Sequence, residues 1–190
     1  MATISAVHIF AISLLISFLA IQFTHAEEYN FVKSIDQKAI KLRKQKLSHF
    51  RFFWHDILSG QNPTSVTVVQ APNNTTTFGF LNIVDNPLTL GPELSSKMIG
   101  RSEGFYASTS LEEVALLVTM NFVFHEGKYN GSTITVLGRN PVFDKVREMP
   151  VIGGSGLFRF ANGYARARTY TFDPNTRDAT VEYNIFVMHY

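Results

Sequence analysis

Apolar and polar residues alternate along short segments of the chain, and this period of two is typical of β-strands with one buried face. In segment 50–56 the even positions Phe50, Phe52, Trp54 and Asp56 share one face, whereas the odd positions point the other way. Three of these four residues are aromatic, so we expect the face to point into the core. The carboxyl group of Asp56 would then share an otherwise apolar face.

Eight further segments are predicted to be strands: 65–70, 78–84, 104–108, 115–124, 132–137, 156–160, 164–172 and 179–189. Turn-forming sequences separate them, including Asp85-Asn86-Pro87 and Gly153-Gly154-Ser155-Gly156. Only segment 110–113 indicates a short helical turn. Eight or nine strands without strong helices predict an all-β domain, folded as a single antiparallel barrel or a sandwich.

The interior of such a barrel is predicted to contain free space. In segment 164–172 small residues alternate with larger ones, and the small residues are Ala165, Ala167, Thr169 and Thr171. Small side chains on the inner face leave room, while Phe52 and Trp54 on a neighbouring inner face suit a flat, apolar ligand. We therefore expect a central ligand cavity rather than a solid core.

The composition supports one folded domain. The 190 residues are 45% hydrophobic and 17% charged, which is enough apolar material for a sizeable core and argues against a disordered chain. A formal net charge of +2 gives no reason to expect nucleic acid as the main partner. The absence of cysteine excludes disulfides, thiolate metal sites and cysteine nucleophiles. Since the histidines also lack ligand spacing, we expect neither a metal nor another cofactor.

The first 26 residues contain no Lys, Arg, Asp or Glu, and segment 7–23 is nearly all apolar. Residues 1–26 are therefore predicted to be a signal peptide, with an uncleaved membrane anchor as the alternative. Secretion would give meaning to three glycosylation sequons, at Asn73, Asn74 and Asn130. Residues 27–46 form a basic leader, read as a solvated arm or as an anchor for an anionic surface, and residues 47–190 form the main domain.

Two residues could carry chemistry. Asp56 on an apolar face would have a raised pKa, as a general acid near neutral pH requires, or it could simply cap the turn that follows. Arg147 could point inward to hold a phenolate or a carboxylate, or it could form a surface pair with a glutamate. The glycine run at 153–156 has no phosphate-binding pattern, and no Gly-x-Ser-x-Gly sequence is present.

A series of motifs in order along the chain resembles the plant dirigent proteins. The motifs are Phe53-Trp54-His55-Asp56-Ile57-Leu58-Ser59-Gly60, Asp85-Asn86-Pro87-Leu88-Thr89-Leu90-Gly91-Pro92, Gly100-Arg101-Ser102-Glu103-Gly104-Phe105-Tyr106, Gly138-Arg139-Asn140, Glu182-Tyr183-Asn184 and the ending His189-Tyr190. The second has Asn86 where many members have an aspartate, and the third departs at two positions. The resemblance spans about residues 47–190.

The resemblance implies an eight-stranded antiparallel β-barrel of the kind shared by dirigent proteins and allene oxide cyclases, with a central ligand cavity. It also implies a homotrimer secreted to the apoplast or cell wall. Members of the family steer plant phenolics through intermediates of the quinone-methide type. Lignan-forming members guide the coupling of two radicals made by an external oxidase, whereas pterocarpan synthases dehydrate an isoflavanol and close a ring.

Residue by residue, the resemblance carries functional roles to Asp56, Tyr106, Arg147 and Thr169. At Asn140 the lignan-forming members have a second acidic residue, and its absence argues against the coupling of two radicals. The lack of cysteine and the segments Gly138-Arg139-Asn140-Pro141 and Arg147-Glu148-Met149-Pro150 look closer to the cysteine-free subgroup that includes the pterocarpan synthases.

Two hypotheses follow. In the first, the protein is a carbon–oxygen lyase: Asp56 protonates the leaving hydroxyl, Arg147 and Tyr106 stabilise the phenolate, and Thr169 orients the ligand. In the second, it is a non-enzymatic guide for radical coupling and needs an oxidase. In both cases Phe52, Trp54 and Asn140 are the predicted substrate-binding residues.

Overall fold

The computed structural model describes Val32 and residues 34–40, 44–72 and 76–190. Within these residues nine strands form one antiparallel sheet, and helical structure is limited to the 3-10 segments Gln37–Ile40, Gly127–Tyr129 and Gly156–Phe158. The strands are β1 (Lys46–Asp56), β2 (Ser65–Val69), β3 (Leu81–Thr89), β4 (Met98–Ser108), β5 (Ala115–Phe124), β6 (Thr133–Pro141), β7 (Arg147–Ser155), β8 (Asn162–Phe172) and β9 (Ala179–His189). The predicted all-β class is confirmed.

Eight of these strands close a barrel. The hydrogen-bonded order is β1-β9-β8-β7-β6-β5-β4-β3-β2, and an additional pairing of β1 with β3 completes the circle. Because β2 pairs with β3 alone, it lies outside the circle, and the predicted eight-stranded antiparallel barrel is confirmed. The closing seam is short: β1 pairs with β9 along its whole length but with β3 only at Phe53↔Thr89 and Trp54↔Leu88.

Two local predictions about turns and helices were wrong. Asp85-Asn86-Pro87 lies inside β3 rather than in a turn. The strand tolerates Pro87 because one edge of β3 is unpaired at this position. On that edge, pairing with β2 ends at Val84 and pairing with β1 begins at Leu88. No neighbouring strand therefore needs the N–H group that proline lacks. Segment 110–113 forms bends rather than a helical turn.

The glycine run was also misassigned. Gly153 and Gly154 belong to β7, and the chain turns only at Gly156, where φ is +61°. The predicted strand 156–160 is a 3-10 segment that buries Phe158. A Cβ atom on Gly154 would lie 2.3 Å from the carbonyl oxygen of Thr133, so this glycine allows a close approach of two strands.

One end of the barrel is filled with aromatic rings. Phe50 packs against Phe124, Tyr129 and Phe158 with ring-centroid distances of 5.3, 5.1 and 5.5 Å. Above this layer, the fully buried Phe52 contacts Phe122 at 5.0 Å. The inner face predicted for segment 50–56 is therefore correct, but its lower part is solid core.

The small residues of β8 divide into two groups. Ala165 and Ala167 are fully buried on the inner face, as predicted. Thr169 and Thr171 are exposed, so they do not extend the buried inner face. The register of β8 against β9 is irregular between them, and this bulge ends the strict alternation before Thr171.

Several predictions for the N-terminal part and the glycans lie outside the described residues, namely the signal peptide at 1–26 and the sequons at Asn73 and Asn74. Asn130 is described, and it is exposed directly after the 3-10 segment Gly127–Tyr129. No helix in the described part of the chain has the length and apolar character needed to cross a bilayer.

Truncating the core tests the inward alternation. Phe122→Ala should lower the free energy of unfolding by about 3 to 5 kcal/mol, because it leaves a cavity beneath Phe52 and Tyr183. Urea denaturation measures this loss. Val123→Ala, at the next and only half-buried position of β5, should cost much less. Equal losses at the two positions would contradict the assignment of faces.

Candidate functional site

The carboxyl group of Asp56 lies at the end of β1, where the barrel seam opens. It is 7% exposed and accepts two side-chain hydrogen bonds. The Tyr106 hydroxyl donates to Oδ2 at 2.7 Å, and Asn86 Nδ2 donates to Oδ1 at 2.9 Å. The following turn is capped by Asp178, which accepts the N–H groups of Leu58 and Ser59, so Asp56 does not have that role.

Three neutral side chains hold these two donors in place. Asn82 Nδ2 donates to the Tyr106 oxygen at 2.8 Å, and Ser65 Oγ lies 3.2 Å from the same oxygen. Thr64 donates to Asn86 Oδ1 at 2.5 Å, which turns the Asn86 amide nitrogen toward Asp56. These supporting residues were not predicted from the sequence. Their only signal there is that polar Asn82 and Asn86 occupy alternating, inward positions of β3.

The surroundings keep Asp56 protonated to higher pH. Desolvation raises its pKa above the usual range, although the hydrogen bonds from Tyr106 and Asn86 oppose this, and the charge of Asp178 raises it further. Desolvation also raises the pKa of Tyr106, so its hydroxyl stays neutral. The pair can therefore hold and release one proton on Asp56.

Arg147 forms the second polar cluster of the interior. It is 4% exposed, and its Nε donates to Asn140 Oδ1 at 3.0 Å while one terminal nitrogen donates to the Thr169 hydroxyl at 2.9 Å. None of the ion pairs among the described residues involves Arg147, so the surface pair with a glutamate is not formed. Burial lowers the pKa of Arg147. A buried guanidinium with neutral partners favours an anionic ligand group.

Tyr183, which the sequence analysis did not single out, lies between the two clusters. It is fully buried on β9, and desolvation raises its pKa, while Arg147 lowers it and the charge of Asp56 raises it. Its ring packs against Trp54 at 6.4 Å. The indole nitrogen of Trp54 is buried and has no hydrogen-bond partner among the described residues, so a ligand oxygen would satisfy it.

Open space lies at the rim next to Asp56. A pocket of about 310 Å³ is lined there by residues that include Asp56, Leu94, Phe172 and Asp178. Phe52 and Trp54 do not line it, so their predicted contact with a ligand stays a prediction. Across the described part of the chain, no three His, Asp or Glu side chains are placed to bind a metal ion together.

Comparisons with known proteins agree with this architecture. The family described as "Dirigent-like protein" matches residues 47–188. Dirigent protein 7 of Arabidopsis thaliana is 55% identical over 85% of this chain and 87% of its own length. Pterocarpan synthase 1 of Glycyrrhiza echinata is 41% identical over 95% of this chain and 97% of its own. A solved structure of a pterocarpan synthase dirigent protein superposes with a TM-score of 0.78 at 40% identity, covering 84% of this chain and 99% of that one.

The raised pKa of Asp56 makes stability depend on pH. Its contribution is fully present below the pKa of the unfolded chain and is lost as the pH rises through the higher pKa of the folded protein. Asp56→Asn cannot ionise, so it should gain stability relative to the natural protein on going from pH 4 to pH 8. The gain is about 1.4 kcal/mol for each unit by which the folded pKa is raised. Urea denaturation at both pH values measures it, and a difference independent of pH would contradict the assignment.

Proposed function

The chain belongs to the dirigent family, and from that premise we propose that it is a carbon–oxygen lyase that dehydrates an isoflavanol and closes a ring. The observation that carries the proposal is that one barrel buries two polar groups. Asp56 is a carboxyl group held protonated, and Arg147 is a guanidinium without a carboxylate partner among the described residues. General-acid release of a hydroxyl group with stabilisation of a phenolate needs these two groups. The match to a pterocarpan synthase over 95% of the chain supports the substrate class.

Each group has a distinct task in the reaction. Asp56 donates its proton to the hydroxyl, the carbon–oxygen bond breaks, and water leaves. The conjugated phenol loses its proton and becomes a quinone methide, which a second phenol of the same molecule attacks. The attacking phenol loses its proton as the new carbon–oxygen bond forms. Of the two phenol protons released, one returns to Asp56 and the other to the oxygen of the quinone methide, so the net loss is one water molecule. No external oxidant is needed.

The surrounding side chains stabilise the charges of these steps. Tyr106 already donates to Asp56, so it stabilises the carboxylate left after proton transfer. Arg147 faces the interior and stabilises the phenolate, and its bonds to Asn140 and Thr169 fix its orientation. Asn140, Trp54 and Phe52 are proposed to contact the aromatic substrate.

The second candidate is a guide for radical coupling that depends on an external oxidase. The 55% identity to a protein named as a dirigent protein, rather than as a synthase, favours it. Only orientation by the pocket is then required, and Asp56 need not transfer a proton. The two candidates differ in whether any product forms without an oxidant.

The remaining parts of the proposal concern location and assembly. We propose cleavage after residue 26, secretion to the cell wall, and glycosylation at one or more of Asn73, Asn74 and Asn130. A homotrimer is also proposed. It is supported by a row of residues that face outward in register across β2 to β6: Val66, Ile83, Phe105, Thr119 and Leu137. Four are large exposed apolar residues, and a patch of this kind favours covering by another copy.

Incubation with a pure isoflavanol and no oxidase tests the activity, with chiral chromatography of the products as the readout. We expect a cyclised product, and Asp56→Asn should lower kcat by about 10² to 10⁴-fold, because the general acid is lost. A parallel reaction holds a monolignol and an external one-electron oxidase. Enantiomeric excess only in that reaction would favour the guide and overturn the lyase.

Phe105→Glu should dissociate the trimer, because it places a charge in the middle of the apolar row. Light scattering coupled to size-exclusion chromatography measures the mass. Phe143→Glu is the matched control, since Phe143 is 78% exposed in the loop between β6 and β7. A natural protein that is already monomeric, or a Phe105→Glu variant of unchanged mass, would contradict the interface.

A further inference from the structure

Asp178 stands outside the barrel interior but binds the chain directly after Asp56. It lies in the loop between β8 and β9, and its Oδ1 accepts the N–H groups of Leu58 and Ser59 at 2.8 and 3.0 Å. Its Oδ2 accepts the Ser59 hydroxyl at 2.5 Å. Three hydrogen bonds on one carboxylate fasten the turn that follows β1 to the β8–β9 loop.

The same turn also controls the groups that hold Asp56. The carbonyl oxygen of Ile57 accepts the N–H groups of Thr64 and Ser65 at 2.9 and 3.0 Å. Thr64 orients Asn86, and Ser65 contacts Tyr106, so both donors to Asp56 depend on where Ile57 lies. Asp178 thus fixes the backbone from which the surroundings of Asp56 are built.

Asp178 and Asp56 line the same rim pocket, and the charge of Asp178 raises the pKa of Asp56. The groups that face Asp56 are Asn86 on β3, Tyr106 on β4 and Tyr183 on β9, all of them uncharged, together with the charged Asp178 on the β8–β9 loop. The charge of Arg147 on β7 lowers the pKa of Tyr183. On β1 itself, His55 also lines the rim pocket, and its ring nitrogens bond to Thr89 and Thr180. Asp173 of the β8–β9 loop is the remaining ionisable residue of that pocket.

Asp178 remains ionised under the conditions in which Asp56 titrates. Partial burial works against its charge, but the hydrogen bonds from the Ser59 side chain and the N–H groups of Leu58 and Ser59 lower the pKa of Asp178 below its usual range. A negative charge fixed at the rim therefore disfavours a second negative charge on Asp56.

We propose that Asp178 is a positioning residue that holds the end of β1 in place and keeps Asp56 in its acid form. This inference rests on the proposed function, since it assigns the residue that prepares the general acid for proton transfer. Asp178 does not touch the reacting atoms, and it acts through the turn and through its charge.

Asp178→Asn separates these two actions. The amide oxygen can still accept the N–H groups of Leu58 and Ser59, but the charge is gone. The pKa of Asp56 should then fall, so the loss of kcat/KM at alkaline pH should move to lower pH by about half a unit. Because a charge at the rim is screened by salt, the difference from the natural protein should shrink at 1 M salt.

Two control variants complete the series. Ser59→Ala removes one hydrogen bond but keeps the charge, so the midpoint of the pH profile should not move. Glu103→Gln removes an exposed charge from the outer face of β4, away from the rim pocket, and it should leave the midpoint in place. A shift in Glu103→Gln as large as that in Asp178→Asn would overturn the specific role of Asp178.

A second readout does not depend on turnover. The carboxyl carbon of Asp56 can be titrated by NMR in the natural protein and in Asp178→Asn, and its midpoint should fall by the same half unit. An unchanged midpoint would overturn the inference, whatever the activity. If no isoflavanol reacts but the NMR midpoint falls, the proposed function fails and the coupling between the two carboxyl groups stands.

Discussion

The structure depends on the way β1 closes the barrel. This strand is paired with β9 along its whole length but with β3 over only two residues. The barrel is therefore closed at Phe53 and Trp54, and β1 does not pair with β3 beyond them. The chain after Asp56 turns away, and β2 takes over the pairing with the other part of β3. A short gap in the wall results, and polar side chains fill it.

The barrel interior contains a buried carboxyl group and a buried guanidinium group that are not paired with each other. Asp56 is surrounded by uncharged donors that permit protonation, while Arg147 is held by an amide, a hydroxyl and a backbone oxygen. Neither partner set contains the opposite charge, so the two groups do not neutralise each other in a direct ion pair. Buried charges cost free energy unless they are compensated. The interior therefore favours a ligand with a polar, ionisable group such as a phenol, which can compensate the buried guanidinium.

Strand alternation was enough to predict the all-β fold and the inward face of β1, because the period of two is set locally by the backbone. It failed where distant contacts decide the outcome. Pro87 continues a strand because of the seam on one side, and Gly154 serves a close approach rather than a turn. Asp56 and Arg147 were found from their residue types. Tyr183, Asn82 and Asp178 were not, since their importance arises from partners 24 to 127 residues away in the chain.

The aromatic layer around Phe50, Phe124, Tyr129 and Phe158 fills one end of the barrel. In the proposed lyase reaction, substrate entry, water release and product departure would therefore all use the other end, beside Asp56. A bound product would then block the next substrate molecule and inhibit competitively. A reaction within one molecule fits this geometry without further demands. Joining two molecules would require both to be inside before either could leave, and its rate would rise with the square of their concentration.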